Sequence, residues 1–325
     1  MPDIFLTRRQ IMMTALEATY ATDAAPQATS YQAIRMIEPF KLDLSTEMLE
    51  QEAGLLTRGR SRPISTVRPI GVTFRTYVQG LDAKSYTATD KPPIGDLLRC
   101  CGLQETFASS NAAGQPEYRY DQATDVGSDF GLTIVAHQDG FEHRFVGARG
   151  NVNFIWQAAA PVIADFNFRG QLTTEASTTR TAPTGMPTVI PPRWIGSGTI
   201  FIGSLAANVE NLNFNTNNTL FEQKASRASS ASGIIAVWIT QRSPGGSFDP
   251  EANSASDFFG AWRSTSGGVL RLQAGLTQSN RFTLVASQVI YKQVSWGDKE
   301  GMGIFSTDFE AYERNSDDSF RITFD

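Results

Sequence analysis

The chain has two histidines, and they are the first residues to consider for catalysis or metal binding. His137 and His143 flank Asp139-Gly140, and counting across that turn can place the two imidazoles opposite each other. Such a pair would hold a metal ion only weakly, since no Cys or third His is spaced to complete the site. Nucleophilic catalysis would need one of these histidines, and the sequence has no G-x-S-x-G elbow. We therefore favour a ligand-free pair on a hairpin surface, and we expect no metal, no cofactor and no catalytic residue.

Carboxylates offer a second kind of chemistry. Asp308 and Glu310 share one face of a predicted strand, as do Asp165 and the amide Asn167. Two carboxylates flanking a glycosidic bond would make a glycosidase, and this is one alternative. We prefer the interpretation that these side chains form the water-facing side of alternating strands. The adjacent Cys100-Cys101 pair is interpreted as two small buried side chains rather than a redox or metal site.

Composition narrows the class of protein. The chain has 325 residues, a length that suits two domains at roughly 150 residues each. Only 19% of residues are charged, whereas there are 27 Gly and 21 Phe, a mixture that favours short strands and turns. The net charge of −5 argues against a basic face that grips nucleic acid. Apolar stretches such as Ile234–Ile239 are too short for a membrane helix, and no signal-peptide core follows Arg8-Arg9. We expect a protein made and kept in a cytoplasm.

Periodicity predicts the elements that position these residues. Helical spacing over Thr7–Glu17 predicts an N-terminal helix followed by an extended arm, and Pro92-Pro93 with Gly102 predicts a short helix over Ile94–Cys101. Alternation predicts strands elsewhere, and Asp139-Gly140 predicts a hairpin. The resulting organisation is a helix and arm (residues 1–38), a first β domain (39–172), a Thr/Pro-rich linker (173–197) and a second β domain (198–325).

The second half of the sequence repeats the pattern of the first. Leu42-Asp43-Leu44-Ser45-Thr46 returns as Leu212-Asn213-Phe214-Asn215-Thr216. Further matches follow in the same order: Leu49-Glu50-Gln51 with Phe221-Glu222-Gln223, Ile70–Tyr77 with Ile234–Gln241, Asp96-Leu97-Leu98 with Asp257-Phe258-Phe259, Leu132-x-Ile134 with Leu270-x-Leu272, Arg144-Phe145 with Arg281-Phe282, and Asp165-Phe166 with Asp308-Phe309. The common order favours a tandem duplication over two unrelated β domains. Such modules leave open sheet edges, which they can satisfy by packing side by side in a ring closed by further chains.

Five strings in order along the chain carry a family resemblance. They are Glu17–Asp23, with Ala21 where glycine is expected, Gly95–Leu103, Phe145–Gly150, Gly245–Glu251 and the ending Asp317–Phe324. In this order they resemble the tail tube, or major tail, proteins of long-tailed bacteriophages. The resemblance implies a mainly β fold with two tandem β-sandwich or half-barrel domains, each with a short flanking α-helix.

The resemblance also implies a function. Proteins of this family form rings, usually of six subunits, whose inner strands close into one barrel, and stacked rings make a tube that conducts DNA during ejection. We therefore expect a structural virion protein, not an enzyme, located in the virion tail and assembled in the host cytoplasm. Two copies per chain predict about three chains per ring. The implied partners are further copies of the chain and the tail terminator, tape-measure and distal tail proteins, with no membrane.

A conduit for DNA should not hold it, because Lys and Arg in the bore would grip phosphates. We place these acidic and polar residues in the lumen: Asp43, Glu47, Glu50, Asp165, Asn167, Glu222, Asp308 and Glu310. Periodicity leaves open whether their face is the lumen or the exterior. Contacts between rings are expected from the arm and from the loops 57–66 and 226–232, at Tyr20, Thr22, Asp23, Arg58, Arg60, Arg62 and Arg227.

Two other functions stay open. A carbohydrate-binding or adhesin module would use the five Trp and eight Tyr, but it needs aromatic residues clustered on an exposed face. Trp156, Trp238 and Trp262 stand at positions patterned as core, which disfavours that function. The inner tube of a contractile injection machine is not separated by this sequence from the tube of a long-tailed phage.

Overall fold

The computed structural model describes residues 10–24, 32–44, 48–50, 62–65, 70–81, 85–124, 130–177, 186–195, 201–202, 205–206, 208–226, 233–252 and 257–325. Strands dominate this part of the chain and two short helices accompany them, as the sequence predicts. Neither of the helices in these ranges is long and apolar enough to cross a membrane.

The described strands range in length from 2 to 18 residues. The helices are α1 Gly95–Arg99 and α2 Phe258–Arg263. The strands are β1 Gln10–Leu16, β2 Gln32–Ile34, β3 Lys41–Leu44, β4 Met48–Leu49, β5 Ile64–Ser65, β6 Ile70–Tyr77, β7 Leu103–Ala108, β8 Glu117–Gln122, β9 Leu132–Gln138, β10 Phe141–Gln157, β11 Ile163–Ser177, β12 Phe201–Ile202, β13 Leu205–Ala206, β14 Val209–Asn215, β15 Asn218–Lys224, β16 Ile234–Arg242, β17 Gly245–Pro250, β18 Gly268–Ala274, β19 Phe282–Lys299, β20 Met302–Ala311 and β21 Phe320–Phe324.

Two local predictions are confirmed. Asp139 and Gly140 join β9 to β10 with φ angles of 43° and 95°, the positive pair that a type I′ hairpin turn requires. The short helix α1 falls within the predicted span Ile94–Cys101.

The predicted N-terminal helix is wrong. Residues Gln10–Leu16 form β1, which lies between β9 and β2, so that Met12 pairs with both Ala136 and Ile34. Ile11, Met12 and Met13 are all buried, because this strand is covered on both faces. A strand buried on both faces shows no alternation, and a short apolar run of that kind cannot be told from a helix by periodicity.

One long sheet crosses both halves of the chain. Hydrogen-bonded pairing runs through β3, β6, β11, β10, β14, β17, β20 and β19, and we call these eight strands the main sheet. The junction between the halves is the pair β10–β14, where Trp156 lies opposite Leu212. The last strand of the chain also crosses, since β21 pairs with β8.

The same order of pairing occurs in each half. In the first half β3 pairs with β6, β6 with β11, β11 with β10, and β10 with β9. In the second half β14 pairs with β17, β17 with β20, β20 with β19, and β19 with β18. Helices α1 and α2 follow β6 and β17 respectively. Strands β3 and β14 are therefore counterparts, as are β10 and β19.

One of the matches within the repeat is wrong. Ile70–Tyr77 was matched with Ile234–Gln241, but β16 pairs only with β15 in a separate two-stranded sheet among the described residues. Its counterpart in the first half is β5, which pairs with β4 in a two-stranded sheet of its own. The counterpart of β6 is instead β17. Both strands follow a sequence segment that contains Arg and Ser, which makes their patterns alike, but α1 follows β6 directly whereas β17 stands between β16 and α2.

One large hydrophobic core lies behind the main sheet, and a small second cluster of Ile11, Met13 and Val135 lies apart from it in the described part of the chain. The large core includes Phe74 and Phe166 from the first half and Phe248 and Phe309 from the second. At the junction, the ring of Trp156 stacks on Phe282 at 5.3 Å between ring centroids. Strand β11 continues to Ser177, five residues into the segment predicted to be a linker, so that the start of this segment belongs to the sheet.

Candidate assembly surfaces

The main sheet has an apolar face turned to the core and a polar face turned away from it. Residues directly opposite on paired strands point to the same side. Asp165 lies opposite Asn153, and Asn153 lies opposite Asn215. Asn215 lies opposite Gly245, which lies opposite Glu310. This row of side chains runs from the first half into the second, so the polar face is one surface across both halves.

Most of the residues predicted for the lumen lie on or beside the polar face. The structure places Asp43 on β3, Asp165 and Asn167 on β11, and Asp308 and Glu310 on β20. Their strand neighbours Phe166, Phe168 and Phe309 are buried on the opposite face. Glu222 lies on β15, outside the main sheet, and Glu50 is exposed just after β4. Glu47 lies outside the described residues.

Cations pair with the carboxylates at one end of the polar face. The Arg75 guanidinium lies 2.8 Å from the Asp165 carboxylate, and this hydrogen bond raises the pKa of Arg75. Arg169 lies between two carboxylates, 3.7 Å from Asp43 and 3.6 Å from Glu222. These pairs make the surface less acidic than a count of its carboxylates suggests.

A similar arrangement occurs at the other end. The Glu310 carboxylate accepts a hydrogen bond of 2.6 Å from the Tyr312 hydroxyl and lies 3.1 Å from the Lys292 ammonium. Both contacts favour the ionised carboxylate, the hydroxyl first, and they lower the pKa of Glu310. Glu310 and Lys292 therefore form a charge pair at this end of the polar face.

Amide side chains occupy the middle of the polar face. The strip consists of Asn151 and Asn153 on β10 and of Asn211, Asn213 and Asn215 on β14. The Asn213 side-chain amide donates to the Ser247 hydroxyl at 3.0 Å, and its carbonyl accepts from the Ser247 backbone N–H at 3.0 Å. Because the side-chain amides of this strip carry no charge, they offer phosphates neither a cation nor a repelling charge.

Some of the residues predicted for contacts between rings are engaged within the chain, and others are exposed. Tyr20 and Asp23 use their polar groups within the chain, since the Asp23 carboxylate lies 2.7 Å from the Arg144 guanidinium. Thr22 and Arg62 are exposed. Arg58, Arg60 and Arg227 lie outside the described residues.

Tyr20 belongs to a buried cluster that sequence reasoning missed. Its hydroxyl donates to the Gly147 carbonyl at 3.0 Å and accepts from the Val237 N–H at 2.7 Å. The Arg149 guanidinium lies 4.3 Å above its ring and donates to the Val237 carbonyl at 2.8 Å. Both backbone polar groups of Val237 on β16 are thus bonded to the first half. The cluster holds the β15–β16 hairpin against the body of the protein.

Glu17 completes this cluster. Its carboxylate accepts from the N–H groups of Ala21 and Gly147, each at 2.7 Å. Burial raises the pKa of Glu17, and the hydrogen bonds and Arg149 oppose that rise. A signal was present in the sequence, because Glu17 and Arg149 lie in two of the strings that carry the family resemblance. Periodicity alone could not show that these strings meet.

The two histidines do not face each other. His137 pairs with Glu142 across the hairpin, whereas His143 pairs with Ala136, so the imidazoles lie on opposite faces. Both are buried, which corrects the prediction of a surface pair, and burial lowers the pKa of His143. Within the described ranges no three His, Cys, Asp or Glu side chains are grouped to hold a metal ion. Cys100 and Cys101 are free and buried.

Comparison with known proteins identifies the family. The model of the phage tail tube protein family matches residues 7–302, which is most of the chain. A comparison with curated proteins finds no match. Since the match covers far more than half of the sequence, and the β-rich fold is consistent with it, the chain belongs to the phage tail tube protein family, whose members are structural proteins of the virion tail.

Proposed function

We propose that three copies of the chain form a ring whose polar faces line a lumen, and that stacked rings form the tube through which DNA is ejected. The chain has a structural role in this proposal and no catalytic one. Assembly takes place in the host cytoplasm, and the ends and interior of the tube engage tail terminator, distal tail and tape-measure proteins.

The observation that carries the proposal is the repeated pairing across the main sheet. Each half contributes four strands in the same order, and the two sets join edge to edge at β10–β14. A unit that joins its own counterpart edge to edge can be added again in the same way, until the sheet closes on itself. Six such units would come from three chains.

The chemistry of the polar face supports its place in the lumen. DNA slides freely only where phosphates meet few unpaired cations. On this face Arg75 is paired with Asp165, Lys292 is paired with Glu310, and the middle is occupied by amides. Such a surface neither holds the polyanion nor repels it strongly.

The first experiment is electron microscopy of the purified chain with a native mass measurement of released rings. We expect tubes or rings with a central hole and a mass of three chains per ring. Six chains of this length per ring, or a protein that stays monomeric at high concentration, would contradict the proposal.

The second experiment tests the lumen. Asn213→Lys adds a cation to the middle of the polar face, and we expect tubes of this variant to retain short duplex DNA in a salt-dependent way. Asn213→Asp is the matched control and should retain none. Leu276→Lys adds the same charge at an exposed position outside the main sheet. If Leu276→Lys tubes retain DNA and Asn213→Lys tubes do not, the polar face does not line the lumen.

Contacts between rings are proposed at Thr22 and Arg62, the members of the predicted set that are exposed in the part of the chain that the structure describes. Removing the whole N-terminal segment would be a poor test, because β1 is buried between β2 and β9. Thr22→Glu with Arg62→Glu should instead leave rings that stack less. Tubes of unchanged length in this double variant would refute these contacts.

A further inference from the structure

The main sheet ends in two open edges, and these edges are counterparts of the two strands that meet at its centre. Among the described residues β3 pairs on one side only, with β6. From Val294 to Lys299, β19 pairs only with β20 in the same part of the chain. The strands equivalent to β3 and β19 are β14 and β10, and these two pair with each other. We propose that β3 of one copy pairs with the end of β19 of the next copy, as β14 pairs with β10 within the chain.

This inference rests on the proposed ring and adds its contact strands and their register. Within the first half, the row through Leu42 passes Val72 and Phe168 and reaches Gly150 on β10. The repeat equates Leu42 with Leu212, which pairs with Trp156 on the same strand. The row of the first repeat thus reaches β10 at Gly150, whereas the equivalent residue of the second repeat pairs with β10 at Trp156. Each repeat is therefore displaced from the preceding one by six residues along the strand direction.

A displacement of this size is what a closed barrel needs. Six residues at ~3.3 Å each give about 20 Å along the strands, against about 19 Å across four strands spaced ~4.8 Å apart. The strands are then tilted by about 45° to the barrel axis, close to the usual range. Twenty-four strands at that tilt, eight from each of three chains, close at about 50 Å between opposite backbones. Side chains then leave ample room for a DNA duplex.

The same displacement gives the register between copies. In the second half, the row through Leu212 passes Phe248 and Thr307 and reaches Val294 on β19. Six residues further lies Glu300, immediately after the end of the strand. Leu42 of the next copy therefore faces Glu300, Asp43 faces Lys299 and Leu44 faces Asp298.

The residues brought together are complementary in charge on the polar face, whereas on the apolar face Leu44 lies opposite Asp298 and diagonally next to Trp296. Asp43 and Lys299 lie on the polar face with opposite charges, and the Asp43 side chain is 60% exposed in the single chain. On the apolar face, Leu44 is 50% exposed and Trp296 is 66% exposed. Their counterparts at the junction within the chain, Phe214 and Val152, are both fully buried. The ring interface would cover Leu44 and Trp296 in the same way.

The open part of β19 begins where a helix stops covering it. The Trp262 indole N–H of α2 donates to the Lys292 carbonyl at 3.1 Å. In the first half, the Cys100 carbonyl after α1 accepts from the Gly150 N–H at 3.2 Å, just before β14 begins to pair. Each helix thus covers the edge up to the start of the strand that joins it.

Cysteine cross-linking tests the register. Asp43→Cys with Lys299→Cys in the full chain places two sulfurs on directly opposite residues, within the span of a disulfide. Mild oxidation of assembled rings should give covalent dimers and trimers, and no species above three chains. Lys41→Cys with Lys299→Cys, two residues out of register on the same strand face, should give at least tenfold less cross-linked product. Ile155→Cys with Asn213→Cys is the matched positive control within one chain.

The outcomes separate this inference from the proposed function. If the unmodified chain forms tubes, but the 43/299 pair does not cross-link or cross-links no better than the 41/299 pair, the register is wrong and the tube stands. If the unmodified chain forms no rings, the proposed function fails first. A charge swap adds a second test, since Asp43→Lys should reduce ring formation and Asp43→Lys with Lys299→Asp should restore it. No restoration would refute the Asp43–Lys299 contact.

Discussion

Replacing Arg149 by lysine should loosen the β15–β16 hairpin from the body of the protein. The Arg149 side chain is buried, with 3% of the residue exposed. It donates to the Phe130 carbonyl at 3.2 Å and to the Val237 carbonyl at 2.8 Å. Its guanidinium also lies against two rings that stack on each other, 4.3 Å from the centroid of Tyr20 and 5.1 Å from that of Trp238. A lysine keeps the charge but lacks the planar fork that reaches both carbonyls and stacks on the rings.

The size of the effect follows from what the lysine cannot replace. Each hydrogen bond from a charged donor contributes roughly 1.5–3 kcal/mol, and a desolvated cation–π contact contributes about 2 kcal/mol. The ammonium can keep one carbonyl and part of the ring contact. We therefore expect Arg149→Lys to lower the free energy of unfolding by about 2–4 kcal/mol, because contacts within one cluster do not add in full.

The assay is urea unfolding of the unassembled subunit, with hydrogen exchange of the backbone amides as a local readout. The substitution should accelerate hydrogen exchange at the Val237 amide more than at the amides of β10. Arg75→Lys is the matched control, since Arg75 makes an exposed ion pair on the polar face, and it should cost less than about 1 kcal/mol. Equal unfolding midpoints for the two variants, with unchanged exchange at Val237, would refute the role given to Arg149.

Four further predictions concern the single chain. Trp156→Ala should cost about 3–5 kcal/mol as the core of the junction loses its ring, whereas Trp296→Ala should change the melting temperature little; similar losses for both would contradict the assigned burial. Gly140→Ala should cost about 1–2 kcal/mol because its φ of 95° is strained for any side chain, and an unchanged urea midpoint would count against the type I′ turn. Burial raises the pKa of Glu17 above 4.5, so the folded state binds that proton more tightly, and the unfolding free energy should fall as the pH rises from 4.5 through the raised pKa. The Glu17→Gln variant should lack that part of the fall, and parallel pH profiles would refute it. Burial also raises the pKa of the Cys100-Cys101 thiols, so a thiol reagent should label them only after unfolding.

The sequence by itself determined the mainly β fold, the hairpin at Asp139-Gly140 and the short helix α1. These features depend on neighbouring residues: alternation at period two, a turn with positive φ, and a proline start with a glycine stop. The family could also be identified from the sequence, because strings such as Gly95–Leu103 and their order along the chain are recognised without any knowledge of contacts.

The tertiary structure decided the features that depend on distant residues. Strand β1 looked helical because burial on both faces removes alternation, and only its partners β2 and β9 show what it is. The pairing of Trp156 with Leu212 joins the halves into one sheet, and no local sequence pattern around either residue predicts that pairing. The cluster of Glu17, Tyr20 and Arg149 likewise joins segments far apart in the chain. Local propensity acts over a few residues, whereas register and buried polar contacts are set by the whole sheet, so only the folded chain reveals them.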